Sequence, residues 1–471
     1  MSRINTNVSS LVATRVLNSQ QAALNQTLGR LSTGLRINTG KDDPAGLIAS
    51  ETLRSEIRAT KAAITNAERA NTVVSVAEGG LQEISNLLLS VEDLVDKSSN
   101  EAGLSQDEVA ANQLEIDSIL DTINRIANST AFNGKKLLDG SLAYATSSVN
   151  ASNLAAVKIT GARIPDNGKK AVVVQVTQSA QAARLTFSGA GTTAANAVTL
   201  QVIGNYGSDI FSFAGSAKVS AIAFSINQNS QLTGVSAVAS AAGLNFYSTQ
   251  FGTDAFASVE ALSGTFTVTG GSSTIRDEGR NAAVLINGTS ANTSGLNASI
   301  RTSALSLSLT LTNTFNTLGT TTFGITGGGA DFAISPSVEL AGRESIGINA
   351  VQTGSLGNKS LGFLSSLASG QANALSSKNF AQAQRIVRES VDTVSSLRGR
   401  LGAFQRNTIE STIASLQVAL ENTTAAESAI RDADFAEETS RLTRAQILVN
   451  SATQVLGIAN AAPQSILQLL Q

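Results

Sequence analysis

Apolar side chains recur every seven residues at both ends of the chain, and a different pattern fills the middle. Leu17, Leu24 and Leu31 form one row near the N-terminus, with Leu28 and Leu35 beside it. Near the C-terminus Phe435, Leu442, Val449 and Leu456 form another, with Ala445, Ala452 and Ala459 as a companion row. Spacings of three and four put each set on one helix face, where it seeks a partner helix. Two unmatched stripes at opposite ends predict that the ends pair with each other.

Four helical blocks follow from this periodicity. The first runs from Val8 to Arg36. Asp43 followed by Pro44 at the first helical position opens a second, whose rows (Leu53, Ala67, Val74, Leu81, Leu88, Val95, and Ala63, Ala70, Ala77, Ile84, Val91) reach Lys97. At about 1.5 Å per residue it would span roughly 80 Å, with Gly79-Gly80 as its weak point. Ser105 and Glu108 make a capping box for a third helix carrying Val109, Ile116 and Ile123, and Phe132-Asn133-Gly134 signals a turn after it. On the C-terminal side Phe380, Val387, Val394 and Leu401 form a row. Its phase shifts after Gly402 to Ile409, Ile413, Leu416 and Leu420. The row loosens around Asn422-Thr423-Thr424, resumes at Phe435 and runs to Pro463. The two sides match in length, so they can lie antiparallel.

Between Ser141 and Gly370 there are only eleven basic and nine acidic residues, set among Ser, Thr, Ala, Gly and Asn. Leu305, Leu307, Leu309 and Leu311 alternate with polar residues, as do Phe266 and Val268, and Phe211 and Phe213. Period two with Gly and Asn turns predicts half-buried antiparallel strands. The expected class is α+β, a hairpin of long antiparallel terminal helices around a β-rich insertion.

Composition removes most chemistry. The 471 residues suffice for two to four domains. A net charge of −2 invites neither nucleic acid nor an anionic membrane. With no Cys and no His there are no disulfides, thiolate metal sites, histidine triads or pH 5–8 switch. No catalytic, cofactor or metal residue is assigned; carboxylate-only catalysis survives formally. The Gly327-Gly328-Gly329 run lacks the Lys-Ser/Thr of a phosphate loop and reads as a strand connection. The N-terminus lacks a secretory apolar core and no apolar run is long enough to cross a bilayer. Those tests alone would place the chain in the cytosol.

The ends resemble the flagellins, subunits of the bacterial flagellar filament. The residues that carry the resemblance are Ile4-Asn5-Thr6-Asn7, Leu31 to Asn38, Asp42 to Leu47, Phe132-Asn133-Gly134 and Arg431 to Glu438, together with Gln446, Ala452, Ala459-Asn460 and Gln464 to Leu470. Residues 323–332 are similar to an insertion module found in many flagellin middles. The resemblance implies three layers. Residues 1–42 with 430–471 would form a terminal coiled-coil domain in the filament's inner core. Residues 43–145 with 371–429 would form a helical outer-core domain with a short β-hairpin, and 146–370 a variable surface region.

It further implies an extracellular filament subunit, exported unfolded through the flagellar type III apparatus and assembled at the tip. The implied partners are further copies of the chain, an export chaperone, and the filament cap and junction proteins. Leu17, Leu24, Leu28, Leu31, Leu35, Phe435, Leu442, Val449, Leu456, Ile466 and Leu467 become the expected assembly residues, ordered only when neighbours arrive. Arg431, Asp432, Asp434, Glu437 and Glu438 read instead as a solvated helical face. A hook–filament junction protein, or a flagellin with an enzymatic middle domain, are the alternatives. Many flagellins present to an innate Toll-like receptor a segment commonly reading Gln-Arg-Val-Arg-Glu-Leu-Ala-Val. Here Leu89, Ser90, Val91, Glu92, Asp93 and Leu94 stand in its place, with Ser90 and Glu92 for the two arginines, so weak stimulation is expected.

Overall fold

The computed structural model describes residues 6–100, 103–165, 168–188, 197–240, 243–270, 275–302, 304–359 and 361–469, with side chains to 462. Its helices are α1 (Val8–Thr33), α2 (Pro44–Ser98), α3 (Gln106–Ser129), α4 (Val219–Gln228), α5 (Ser230–Thr233), α6 (Phe380–Phe404), α7 (Ser411–Arg431) and α8 (Phe435–Leu469). They fall in two compact units. One holds the residues up to Arg69, Ile334–Val338 and everything from Thr408; the other holds Ala70–Ala333 and Glu339–Asn407.

Local chemistry starts and stops the helices where expected. The Asn7 side chain caps α1, and Gly34 ends it in a left-handed conformation (φ 73°). Asp43 Oδ1 accepts from Gly46 N at 2.9 Å in front of Pro44. The Ser105–Glu108 box is fully formed at the start of α3. Asn133 (φ 48°) and Gly134 (φ 77°) turn the short hairpin of Ala131–Phe132 and Lys135–Lys136. The Gly79-Gly80 pair does not interrupt α2. A Cβ on Gly80 would sit 2.8 Å from Thr130 Oγ1 and 2.9 Å from Leu138 Cδ1, so the missing side chain lets this segment approach the helix.

In the second unit α2 and α6 run antiparallel. As positions rise along α2 through Glu78 and Glu92, their ion-pair partners on α6 fall from Arg398 (2.9 Å) to Arg388 (2.8 Å). Leu81, Ile84, Leu88, Val91, Ile116, Leu120, Ile123, Val387, Val394 and Leu401 are all buried. The phase shift after Gly402 has a physical cause. Residues Gln405–Glu410 form a π-helical turn, which takes up one extra residue between buried Leu401 and buried Ile409. The helix then continues to Arg431 instead of loosening at Asn422–Thr424; the break falls at Asp432–Asp434. Beyond it α8 passes Pro463 and reaches Leu469, further than the expected stop.

The middle holds two β cores. Around the first, a five-stranded antiparallel sheet is centred on Lys170–Gln178, and a four-stranded one contains Leu305–Leu311 and Leu154–Ala162. Leu305, Leu307, Leu309 and Leu311 all point into this core, and Asn287-Gly288 turns one of its hairpins. Gly327-Gly328-Gly329 joins the strand ending there to Ala330–Ala333, as expected of a strand connection. The second core lies between two four-stranded sheets and α4, and contains Phe187, Phe211, Phe246, Phe266 and Val268. Its helix was not anticipated, although Val219, Ile222, Ala223 and Ile226 follow helical spacing and are buried. This second lobe is inserted within the first. The chain leaves at Gln181 and returns at Arg280, which exchange backbone hydrogen bonds of 2.8 and 2.9 Å.

Candidate assembly surface

In the first unit α1 and α8 lie antiparallel. Asn7 Nδ2 donates to Ala459 O at 2.7 Å near one end, and Arg30 Nη1 meets Glu438 Oε1 at 3.3 Å near the other. The seam is built from small residues: Ala13 and Thr27 of α1, and the companion row Ala445, Ala452 and Ala459 of α8, are buried. The ends do pair within one chain.

That pairing covers the seven-residue rows only in part. Leu17, Leu24, Leu31, Leu35, Leu442, Val449 and Leu456 flank the seam and are half-buried. Leu28 and Phe435 remain exposed, the latter by 67%. Ile466 and Leu467 lie outside the residues whose side chains are described. Apart from Phe435, the most exposed apolar residues on these helices are ones the seven-residue rows passed over. Leu11 (63%), Ile447 (59%) and Ile458 (72%) face outward, and so do Val8, Val12, Val16, Leu448 and Val455. An open groove of about 530 Å³ runs between Val8, Val12, Val16, Leu448 and Val455. Single exposed apolar residues are ordinary, but the contiguous set lining this groove is a candidate interaction surface.

A polar crossing closes the end of this pair. The segments after α1 and before α8 form an antiparallel bridge: Arg36 N donates to Arg431 O (2.7 Å) and Ala433 N to Gly34 O (2.9 Å). The Arg431–Glu438 motif is used within the chain. Arg431 pairs with Glu51 at 2.9 Å, Asp432 accepts from Ser428, Asp434 caps the start of α8, and Glu437 pairs with Arg441. Glu438 is buried, its side chain 5% exposed against 17% for Arg30.

Two carboxylates here sit below their ordinary values. The Thr39 backbone N–H, then its hydroxyl, lowers Asp42, and hydrogen bonds from Arg54, then Arg431, lower Glu51. A lowered folded-state pKa adds stability above the ordinary value, and that stability is lost as pH falls through the folded one. Urea-unfolding midpoints should therefore stay flat from pH 5 to 8, where no histidine titrates. They should fall as pH drops below the reference 4.5 of Glu and 3.8 of Asp. A maximum near pH 4 would contradict this assignment.

The receptor-like segment is divided between the core and the surface. Val91 and Leu94 are buried, because the face they share is the one α2 turns to its core. Glu92 is half-exposed and holds Arg388; Leu89, Ser90 and Asp93 face outward. Among the described residues no helix is long and apolar enough to cross a membrane.

Comparison with known proteins agrees with this architecture at both ends. The bacterial flagellin N-terminal helical region matches residues 4–143, and the C-terminal helical region matches residues 384–470. Flagellin E of Vibrio cholerae is 43% identical over 157 residues, 33% of this chain and 41% of that one, so the chain spans under half the length of that relative. B-type flagellin of Pseudomonas aeruginosa is 30% identical over 521 aligned positions, covering 99% of both chains. Among solved structures, FliC of Burkholderia pseudomallei aligns at 17% identity over 71% of this chain and 98% of that one, with a TM-score of 0.25 that carries no weight. Matched at both helical ends and aligned along nearly its whole length with a 30% identical relative, the chain belongs to the bacterial flagellins.

Proposed function

We propose that this chain is a structural, non-enzymatic subunit that polymerises into an extracellular flagellar filament. The observation that carries the reading is the outward apolar set on α1 and α8, from Leu11 to Ile458, left uncovered when the two helices have already paired. A surface repeated on every copy and matched to a different surface gives a heterologous contact, which builds an open helical polymer. In this reading residues 1–42 and 430–471 line the inner core, 43–145 and 371–429 the layer around it, and the two β lobes of 146–370 project outward. Family membership adds unfolded export with a chaperone, and assembly against cap and junction proteins. Full-length alignment with a B-type flagellin favours this over a junction protein.

Seeded polymerisation followed by electron microscopy tests it. The full chain should elongate seeds, and a chain ending before Asn422 should not. Filaments from the shortened chain would refute the role given to α8. We also propose weak innate-receptor stimulation, since the outward residues Leu89, Ser90 and Asp93 offer no arginine. Full activity in a reporter-cell assay, at concentrations that suffice for a standard enteric flagellin, would overturn this.

A further inference from the structure

We infer that Asn7 sets the register of the α1–α8 pair by supplying the hydrogen bond that Pro463 withholds. This deepens the reading above, because it concerns the pair that carries the assembly surface. Inside a helix the carbonyl of Ala459 would accept from the N–H four residues on, but that residue is Pro463, which has none. The chain continues as α8 through this point nonetheless. Ala459 O is met from the other end of the chain, by Asn7 Nδ2 at 2.7 Å.

The same amide caps its own helix, since Asn7 Oδ1 accepts from Ser10 N at 3.0 Å. Ser10 Oγ then donates to Asn460 Oδ1 at 2.6 Å, one residue beyond Ala459. Both jobs at once need a short side chain with an acceptor and a donor. Asp has no donor, Ser is too short to do both, and Gln is too long for the cap. Asparagine alone satisfies the geometry.

At the far end of the pair Arg30 and Glu438 fix the register; at this end the alanine seam needs a device of its own. The seam of Ala13, Thr27, Ala445, Ala452 and Ala459 is small and repeats every seven residues on α8, so a slide of one repeat replaces alanine by alanine. Such a seam barely distinguishes neighbouring registers; a polar group that finds its partner in only one of them does. The carbonyl freed by Pro463 occurs once on α8, because that helix holds no other proline. The pin therefore has one hole.

The test is a double-mutant cycle on the full chain. Its readout is amide exchange across residues 445–462, free and after addition of seeds. Asn7→Asp keeps the cap and loses the donor, and should lower protection about 5-fold, the equivalent of one ordinary hydrogen bond. Pro463→Ala restores an N–H to Ala459 O. On that background the effect of Asn7→Asp should shrink below about 2-fold. Equal losses on both backgrounds, or no loss on either, would overturn the inference. Cysteine pairs report register directly, since the chain has no cysteine of its own. Ser10→Cys with Thr453→Cys, one repeat out of register, should cross-link more in the Asn7→Asp chain, and an unchanged yield counts against the pin. Failure of the unaltered chain to elongate seeds would strike the functional reading instead, leaving the cycle on the free chain to decide Asn7.

Discussion

Ile458→Asp should leave the chain folded and abolish its polymerisation. Ile458 is 72% exposed on α8, so a carboxylate there remains in water and changes single-chain stability by no more than about 0.5 kcal/mol. In a polymer that covers this face, the same carboxylate must be stripped of water. Burying an unpaired charge costs several kcal/mol, and each subunit would incur it. The critical concentration for elongation should rise more than about 100-fold, since each 1.4 kcal/mol is a factor of ten. Ile447→Asp should behave alike, whereas an Asp at the exposed Thr443 tests charge without loss of an apolar contact. Helix melting by circular dichroism monitors the fold, and sedimentation with electron microscopy monitors the polymer. Normal filaments from Ile458→Asp would show that the outward set is not the assembly surface.

Arg30→Met should destabilise the α1–α8 pair by about 2–4 kcal/mol, and Arg30→Met with Glu438→Leu should recover most of the loss. Glu438 is held by Arg30 at 3.3 Å and by Arg441 at 3.5 Å, and its second oxygen has no hydrogen-bond partner. Removing Arg30 leaves a nearly buried carboxylate with one long contact to a half-exposed cation. Breaking such a pair from one side costs far more than replacing both partners by apolar groups. Thermal melting of seeded filaments, with amide exchange along α1 and α8, reads both chains. A single substitution that costs less than about 0.5 kcal/mol would mean Arg441 alone suffices.

The helices were legible because their burial repeats every seven residues, and even the π-helical turn announced itself as a one-residue slip between Leu401 and Ile409. The strand through Leu305–Leu311 was legible for the same reason, with period two. The outward apolar face was read less well. A heptad template credits two positions in seven, so Leu11, Ile447 and Ile458 were passed over although all are apolar and outward. The polar crossing was invisible, because Arg30 and Glu438 lie 408 positions apart and nothing local marks them as partners. The α4 segment was lost among strands, since a short apolar stretch with β-branched residues suits either state until its i, i+3, i+4, i+7 spacing is counted.

The second β lobe joins the first at a narrow doorway, with Phe251 packed against the first core. Gln181 and Arg280 already face each other across two backbone hydrogen bonds, so the inner core is closed beneath whatever is mounted there. Loop-closure entropy rises only with the logarithm of loop length. A lobe of quite different size can thus occupy the doorway with little effect on the core below. The second lobe is in this sense an exchangeable cassette, and its sequence can drift while the paired helices remain under the constraint of their own geometry.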